Sequence, residues 1–196
     1  MTYAPRPQSP EEWLNALEKE FRTESDRGAA LVAAAMLDDA LRELLGKHLV
    51  KPDNKDRDLL GRSKPLGTFS ARIDAAFQVG LVSAYLARDL HLIRQIRNEF
   101  AHHPLECTFQ SARVVDWVKV LERASDYNRR KPETRASVGP PGTRWDFLGM
   151  VGWILYNLHL DVQELPRLQP RGPEFGYIDW DNLPAELKKL LPEETL

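Results

Sequence analysis

Gly28-Ala29-Ala30-Leu31-Val32-Ala33-Ala34-Ala35-Met36-Leu37 is uncharged throughout, and half of it is alanine. It sits in a longer proline-free run from Ser25 to Leu49. Charges gather on either side: Glu24, Asp26 and Arg27 before it, then Asp38, Asp39, Arg42 and Glu43 after it. Alanine is the best helix former, and its small side chain lets neighbouring elements approach closely. A helix that is apolar all the way round is a buried one. The stretch therefore predicts the central helix of an all-α bundle.

Outward from this segment the chain reads as further helices. Ser9-Pro10-Glu11-Glu12 is a helix start, with a capping serine, a proline in the first turn and an acid where a capping box wants one. Trp13, Leu14, Leu17 and Phe21 follow at helical spacing. Lys51 to Arg62 is a polar loop broken by Pro52 and Gly61. Pro65-Leu66-Gly67-Thr68 turns the chain into a helix from about Phe69, which Gly80 stops. Ser83 opens a long helix to about Ala101, closed by His102-His103-Pro104.

Ser111 to Ser125 is amphipathic, with Val114, Val115, Trp117, Val118 and Leu121 on its buried side. Asn128 to Gly142 is a linker rich in Arg, Pro and Gly, after which Thr143 caps a helix from Arg144 to about Leu165. Pro166 to Leu196 is proline-rich and acidic, with one short helix expected near Ala185 to Leu191. No segment alternates as a strand does. The expected organisation is one helical bundle over residues 1–165 and an irregular tail over 166–196.

Composition narrows the function classes. A chain of 196 residues holds one medium domain with appendages. With 42% hydrophobic and 29% charged residues it has the make-up of a soluble globular protein. A formal net charge of −2 gives no global attraction to a polyanion, so any nucleic-acid contact must be local. The single cysteine, Cys107, excludes an intrachain disulfide and a Cys-rich zinc site. Met1 to Pro10 has no apolar core of a secretory signal. Trp145 to Leu160 is the most apolar stretch. It is only about 16 residues long and holds Asp146, Asn157 and His159, whereas a bilayer span needs roughly 20 apolar residues. The expectation is a cytoplasmic protein with no membrane partner and no cofactor.

The helix from Ser83 carries the candidate site. At 100° per residue, His91, Arg94, Gln95, Asn98 and His102 share about one-third of the circumference, opposite Leu86, Ile93, Ile96 and Phe100. Arg97 lies on the flank of the apolar stripe, about 140° from His102, while Asn98 and His102 are direct neighbours four apart. A guanidinium keeps its charge and grips phosphate bidentately, and an imidazole titrates near neutrality. These residue types suit phosphate binding, with His91 and Arg94 contributing, or phosphodiester chemistry by Arg97, Asn98 and His102. The alternative is structural. Arg97 would then pair with Glu24, Asp26, Asp38 or Asp39 at the ends of the central helix, and His102 would bond the last carbonyls of its own helix.

Other groupings carry less. Arg123, Arg129, Arg130, Lys131, Arg135 and Arg144 form a local footprint for a phosphate backbone, diluted by Glu122, Asp126 and Glu133; a solvated loop is the competing reading. Glu99 and His103 stand four apart without a third ligand nearby, so no metal site is expected. Cys107 and His103 lack an acid partner for a nucleophilic dyad. Phe175, Tyr177, Ile178 and Trp180, set among Asp179 and Asp181, predict a tail that docks on its own bundle.

Two resemblances follow from these residues. Glu24-Ser25-Asp26-Arg27-Gly28, Ala34 to Leu41, Pro65 to Ile73 and Ile93 to His102, in that order, resemble the mannitol operon repressor (MltR-like) family. The likeness covers about Phe21 to Leu121 and, more loosely, the 144–160 helix. It implies an all-helical regulator of transcription without a standard helix-turn-helix module. Arg97-Asn98 followed by His102 is similar to the R-x4-6-H motif of HEPN domains, many of which are metal-independent ribonucleases whose motifs meet between two protomers. That likeness implies His102 as general acid or base, Arg97 as the stabiliser of the charged phosphorane, and Asn98 as an orienting group. The function expected is a homodimeric, repressor-type regulator acting through protein or nucleic-acid contacts. A HEPN-type ribonuclease is the alternative, and a non-enzymatic interaction module the third reading.

Overall fold

The computed structural model describes residues 9–103, 105–124 and 142–171, together with positions 7 and 186. Among the described residues the chain is all-α. It forms α1 (Pro10–Phe21), α2 (Asp26–His48), α3 (Phe69–Gln78), α4 (Ala84–His102), α5 (Ala112–Ala124) and α6 (Thr143–Glu164), with a 3-10 turn at Lys55–Arg57. No helix among these residues is long and apolar enough to cross a membrane.

Four of the helices begin with the same device, a hydroxyl that accepts a first-turn N–H the helix itself leaves unbonded. Ser9 accepts from Glu12 N at 3.1 Å, Ser25 from Gly28 N at 3.0 Å, Thr68 from Ala71 N at 3.2 Å and Ser83 from Leu86 N at 3.1 Å. Helix α3 ends on Gly80, whose φ of 76° lets Leu81 N reach back to Ala76 O at 2.8 Å. Helix α6 departs from expectation. Gly142, at φ 145°, stands at its N-cap position with no side-chain cap, and Thr143 is already helical. The chain enters α6 through a conformation glycine tolerates, so Thr143 falls one place too late to cap it.

Helix α2 is central and packs against α3, α4 and α6. Its buried residues are Ala29, Ala30, Ala33, Ala34, Leu37, Leu41, Leu44 and Leu45. It is not enclosed all round, because Val32 and Ala35 are exposed. The alanine run instead supplies one close-packed stripe along which α6 and α4 lie. Helix α6 buries Phe147, Leu148, Met150, Val151, Ile154, Leu155 and Leu158, and α1 covers it with Leu17 and Phe21. Phe100, Phe109 and Phe147 form a chain of tilted rings, with centroids 5.0 and 5.3 Å apart, joining the end of α4 to α6.

Two arginines fasten the helices to one another. Arg72 of α3 is buried; its Nη1 donates to Asp38 at 2.5 Å, and its Nη2 to the carbonyls of Leu60 and Gly67 at 3.3 and 3.4 Å. Arg144 of α6 donates to Asp26 at 2.7 Å and to the carbonyls of Phe21 and Glu24 at 2.5 and 2.7 Å. The other oxygen of Asp26 accepts from Phe109 N at 2.9 Å. One carboxylate at the start of α2 thus ties α6 to the segment leading into α5. After α6 the chain turns against the end of α2: Leu168 N bonds His48 O, Arg167 bonds Leu49 O, and His48 Nδ1 donates to Pro166 O, at 2.7, 2.8 and 2.8 Å. The rest of the tail, including Phe175, Tyr177, Ile178, Trp180 and (apart from Glu186) the helix expected near 185–191, lies outside the described residues.

Candidate functional site

Helix α4 is held by its apolar stripe. Ala87, Leu90, Ile93, Ile96 and Phe100 are buried, and the Phe100 ring against Phe109 fixes the last turn. The opposite face divides into two parts. Toward the N-terminus His91 is engaged, its Nε2 3.0 Å from Asp74 Oδ1 on α3. Arg94, one turn further, is half-buried with its Nε enclosed and without a hydrogen-bond partner among the described residues. Toward the C-terminus the face is open among the described residues.

Arg97 is exposed, and its Nη1 donates to Asn98 Oδ1 at 2.9 Å. It pairs with none of Glu24, Asp26, Asp38 or Asp39, contrary to the structural alternative. Asp26 is taken by Arg144 and Asp38 by Arg72, and these arginines approach from α6 and α3, the helices that flank the two acids. Asp39 is exposed and makes no ion pair among the described residues, and the Glu24 backbone carbonyl accepts from Arg144. Because Asn98 lies about 40° from His102 on the helix wheel, its bond to Arg97 draws the guanidinium from the flank toward the outer face. His102 is exposed on that face. His103, rather than His102, occupies the C-cap position, with its N–H on Glu99 O at 3.0 Å. The helix thus closes without its last histidine side chain.

The neighbourhood adds a cation and an acid. Glu99 accepts from Arg113 of α5 at 3.2 and 3.3 Å, and the Arg113 guanidinium lies 5.9 Å from the centre of the Trp117 ring. His103 Nε2 stands 3.9 Å from Glu99. Chemically the end of α4 presents a guanidinium steadied by an amide, with an imidazole one turn from that amide. A guanidinium so placed has the donor geometry to take a phosphate bidentately. Among the described residues no group of three or more His, Cys, Asp or Glu is placed to hold a metal ion. Burial, joined by the Glu99 and Asp26 charges, pushes the Cys107 thiol up despite a hydrogen bond from Ser111, so Cys107 is not an activated nucleophile.

Arg129, Arg130 and Lys131, with Arg123 and Arg135 of the same basic group, lack described side chains; Arg144, read with them, is instead the interior clamp on Asp26. Asp89 is a residue sequence reasoning passed over. It is buried on α4, accepts from Arg88 Nε and Nη2 at 3.0 and 2.6 Å, and its carboxyl is pushed up by burial against the opposing pull of Arg88. Its place four residues before Ile93 and seven before Ile96, inside the apolar stripe, is the signal that would find it.

No known protein family, no curated protein and no solved structure matches the chain. The likenesses to the MltR-like family and to HEPN domains therefore rest on the residues alone.

Proposed function

We propose that this protein is a cytoplasmic, MltR-like regulator of transcription, homodimeric, that works through contacts made by the outer face at the end of α4. The observation that carries the reading is that Arg97 is exposed and pairs with no acid among the described residues. The interior acids at the ends of α2 are matched to Arg144 and Arg72, while Arg97 is exposed beside Asn98 and on the same helix end as His102. The segments of the resemblance also belong together in space. Asp26 begins α2, Asp38 meets Arg72 from the third segment, and Ile93, Ile96 and Phe100 from the fourth pack into the same core. A phosphate backbone is the partner this chemistry recognises. The test is fluorescence anisotropy with duplex DNA from the chain's own upstream region, titrated with salt. Binding that weakens with salt supports the reading. Retention of a partner protein alone, with no duplex bound at low salt, shifts it to an interaction module.

A second reading has a specific observation behind it. Arg97 and Asn98 are already joined and His102 stands one turn from Asn98, the grouping a metal-independent ribonuclease needs from each of two protomers. That enzyme would cleave RNA in chelator and leave a 2′,3′-cyclic phosphate, with His102→Ala abolishing cleavage in a protein that still folds. A folded dimer that cleaves none of a varied set of RNAs removes this reading.

A further inference from the structure

We infer that the cavity between α1, α2 and α6 is a binding site for a compact organic cation, an amine on a single-ring apolar body, with its ammonium held at Asp39. The cavity measures about 200 Å³. It opens to solvent at the Asp39 and Glu43 side, and a cavity of about 150 Å³ lined by apolar side chains takes up benzene. This one therefore has room for a ring with a short aminoalkyl arm.

Its walls follow from helical spacing. Trp13 comes from α1, Met36 and Ala40 stand four apart on α2, and Leu155, Leu158 and Val162 recur at three and four on α6. Asp39 and Glu43, again four apart on α2, are exposed and form the rim. Asp38 and Asp39 are adjacent, yet their surroundings differ. Asp38 is paired with Arg72, whereas Asp39 makes no ion pair or hydrogen bond among the described residues. An acid at the mouth of an apolar cavity is the combination that binds a cation by its charge while the walls take up the apolar body.

The wall is not that of an ordinary core void. Trp13 Nε1 and His159 Nδ1 are both enclosed without a hydrogen-bond partner among the described residues, and their rings meet edge to face at 6.4 Å. Arg42 lies in the adjoining groove with Asp39 and Glu43. Lys47 and Arg167 line that groove as well, and these three cations would favour an anion there, so charge sign is the discriminating variable. This site involves no residue of the α4 face, and neither inference needs the other.

The experiment is isothermal titration calorimetry and ligand-observed NMR on the full chain with 2-phenylethylamine, and with 2-phenylethanol and 3-phenylpropionate as neutral and anionic controls. The amine is expected to bind more tightly than either control. Asp39→Asn, on an exposed position, is expected to weaken the amine about fivefold, the worth of one partly exposed ion pair. Ala40→Leu is expected to remove binding by filling the cavity, with circular dichroism reporting the fold; if that variant does not fold, Asp39→Asn decides. No binding of the amine, equal binding of the alcohol or the carboxylate, or an unchanged affinity in Asp39→Asn would overturn the inference.

Discussion

Replacing Arg144 by methionine should destabilise the fold far more than any change at a surface arginine. The side chain is 19% exposed and its partner Asp26 is 29% exposed. It donates at 2.7 Å to Asp26, at 2.5 Å to Phe21 O and at 2.7 Å to Glu24 O. Removing one partner of a buried pair costs about 3–5 kcal/mol, because the remaining charge and acceptors stay behind without their donor. Partial exposure lets water reach Asp26, so we take the lower end, about 3 kcal/mol. For a domain of this size that lowers Tm by roughly 6–12 °C. The matched control is Arg113→Met. Arg113 is 65% exposed and pairs with Glu99 at 3.2 Å, and an exposed pair contributes at most about 1 kcal/mol.

Urea denaturation followed by far-ultraviolet circular dichroism measures both variants. An Asp26→Asn/Arg144→Met double-mutant cycle isolates their coupling, since asparagine can still accept from Phe109 N. If Arg144→Met falls within about 1 kcal/mol of wild type, or matches Arg113→Met, the clamp does not hold α6 to α2.

Gly67→Ala should cost about 2–4 kcal/mol, because a Cβ there would lie 2.3 Å from the carbonyl oxygen of Arg62 and 2.7 Å from that of Gly61; Gly80→Ala, with open space around it, should cost only the left-handed strain of about 1–2 kcal/mol. Thermal melts of the two variants rank them, and equal losses would refute the close approach. Asp89 has a carboxyl raised in the folded state above the ordinary value of 3.8. As pH rises from there through the raised value the unfolded chain ionises first, and stability falls. Asp89→Asn should remove that fall, so the Tm difference between variant and wild type should grow in the variant's favour across this window. Parallel Tm–pH curves would refute it.

Helix starts are written locally in this chain. Ser9-Pro10, Ser25, Thr68 and Ser83 each place a hydroxyl three residues before the N–H it accepts from, so these starts can be read without knowing any neighbour. The stripe of α4 is legible for the same reason. A helical wheel, however, gives angles about one axis and says nothing of which other helix lies opposite. Asp26 and Arg144 are separated by 118 positions and Asp38 and Arg72 by 34, and no local pattern joins either pair. On charge alone Arg97 serves those acids as well as Arg72 or Arg144, and only the packing of α3 and α6 against α2 rules it out. Val32 and Ala35 show the same limit: an uncharged run states that burial is affordable on every side, while the number of neighbours decides which sides are covered.

The most direct test is an anisotropy titration of labelled duplex DNA from the chain's upstream region with wild type, Arg97→Ala and His102→Ala, alongside their melting temperatures. Both side chains are exposed, so both variants should melt within about 2 °C of wild type, as surface substitutions do. Loss of one phosphate contact at Arg97 should weaken binding and lower the slope of log affinity against log salt by about 1. A wild-type protein that ignores the duplex at low salt, or an Arg97→Ala variant that binds it as well as wild type, would contradict the assignment of this face to nucleic acid.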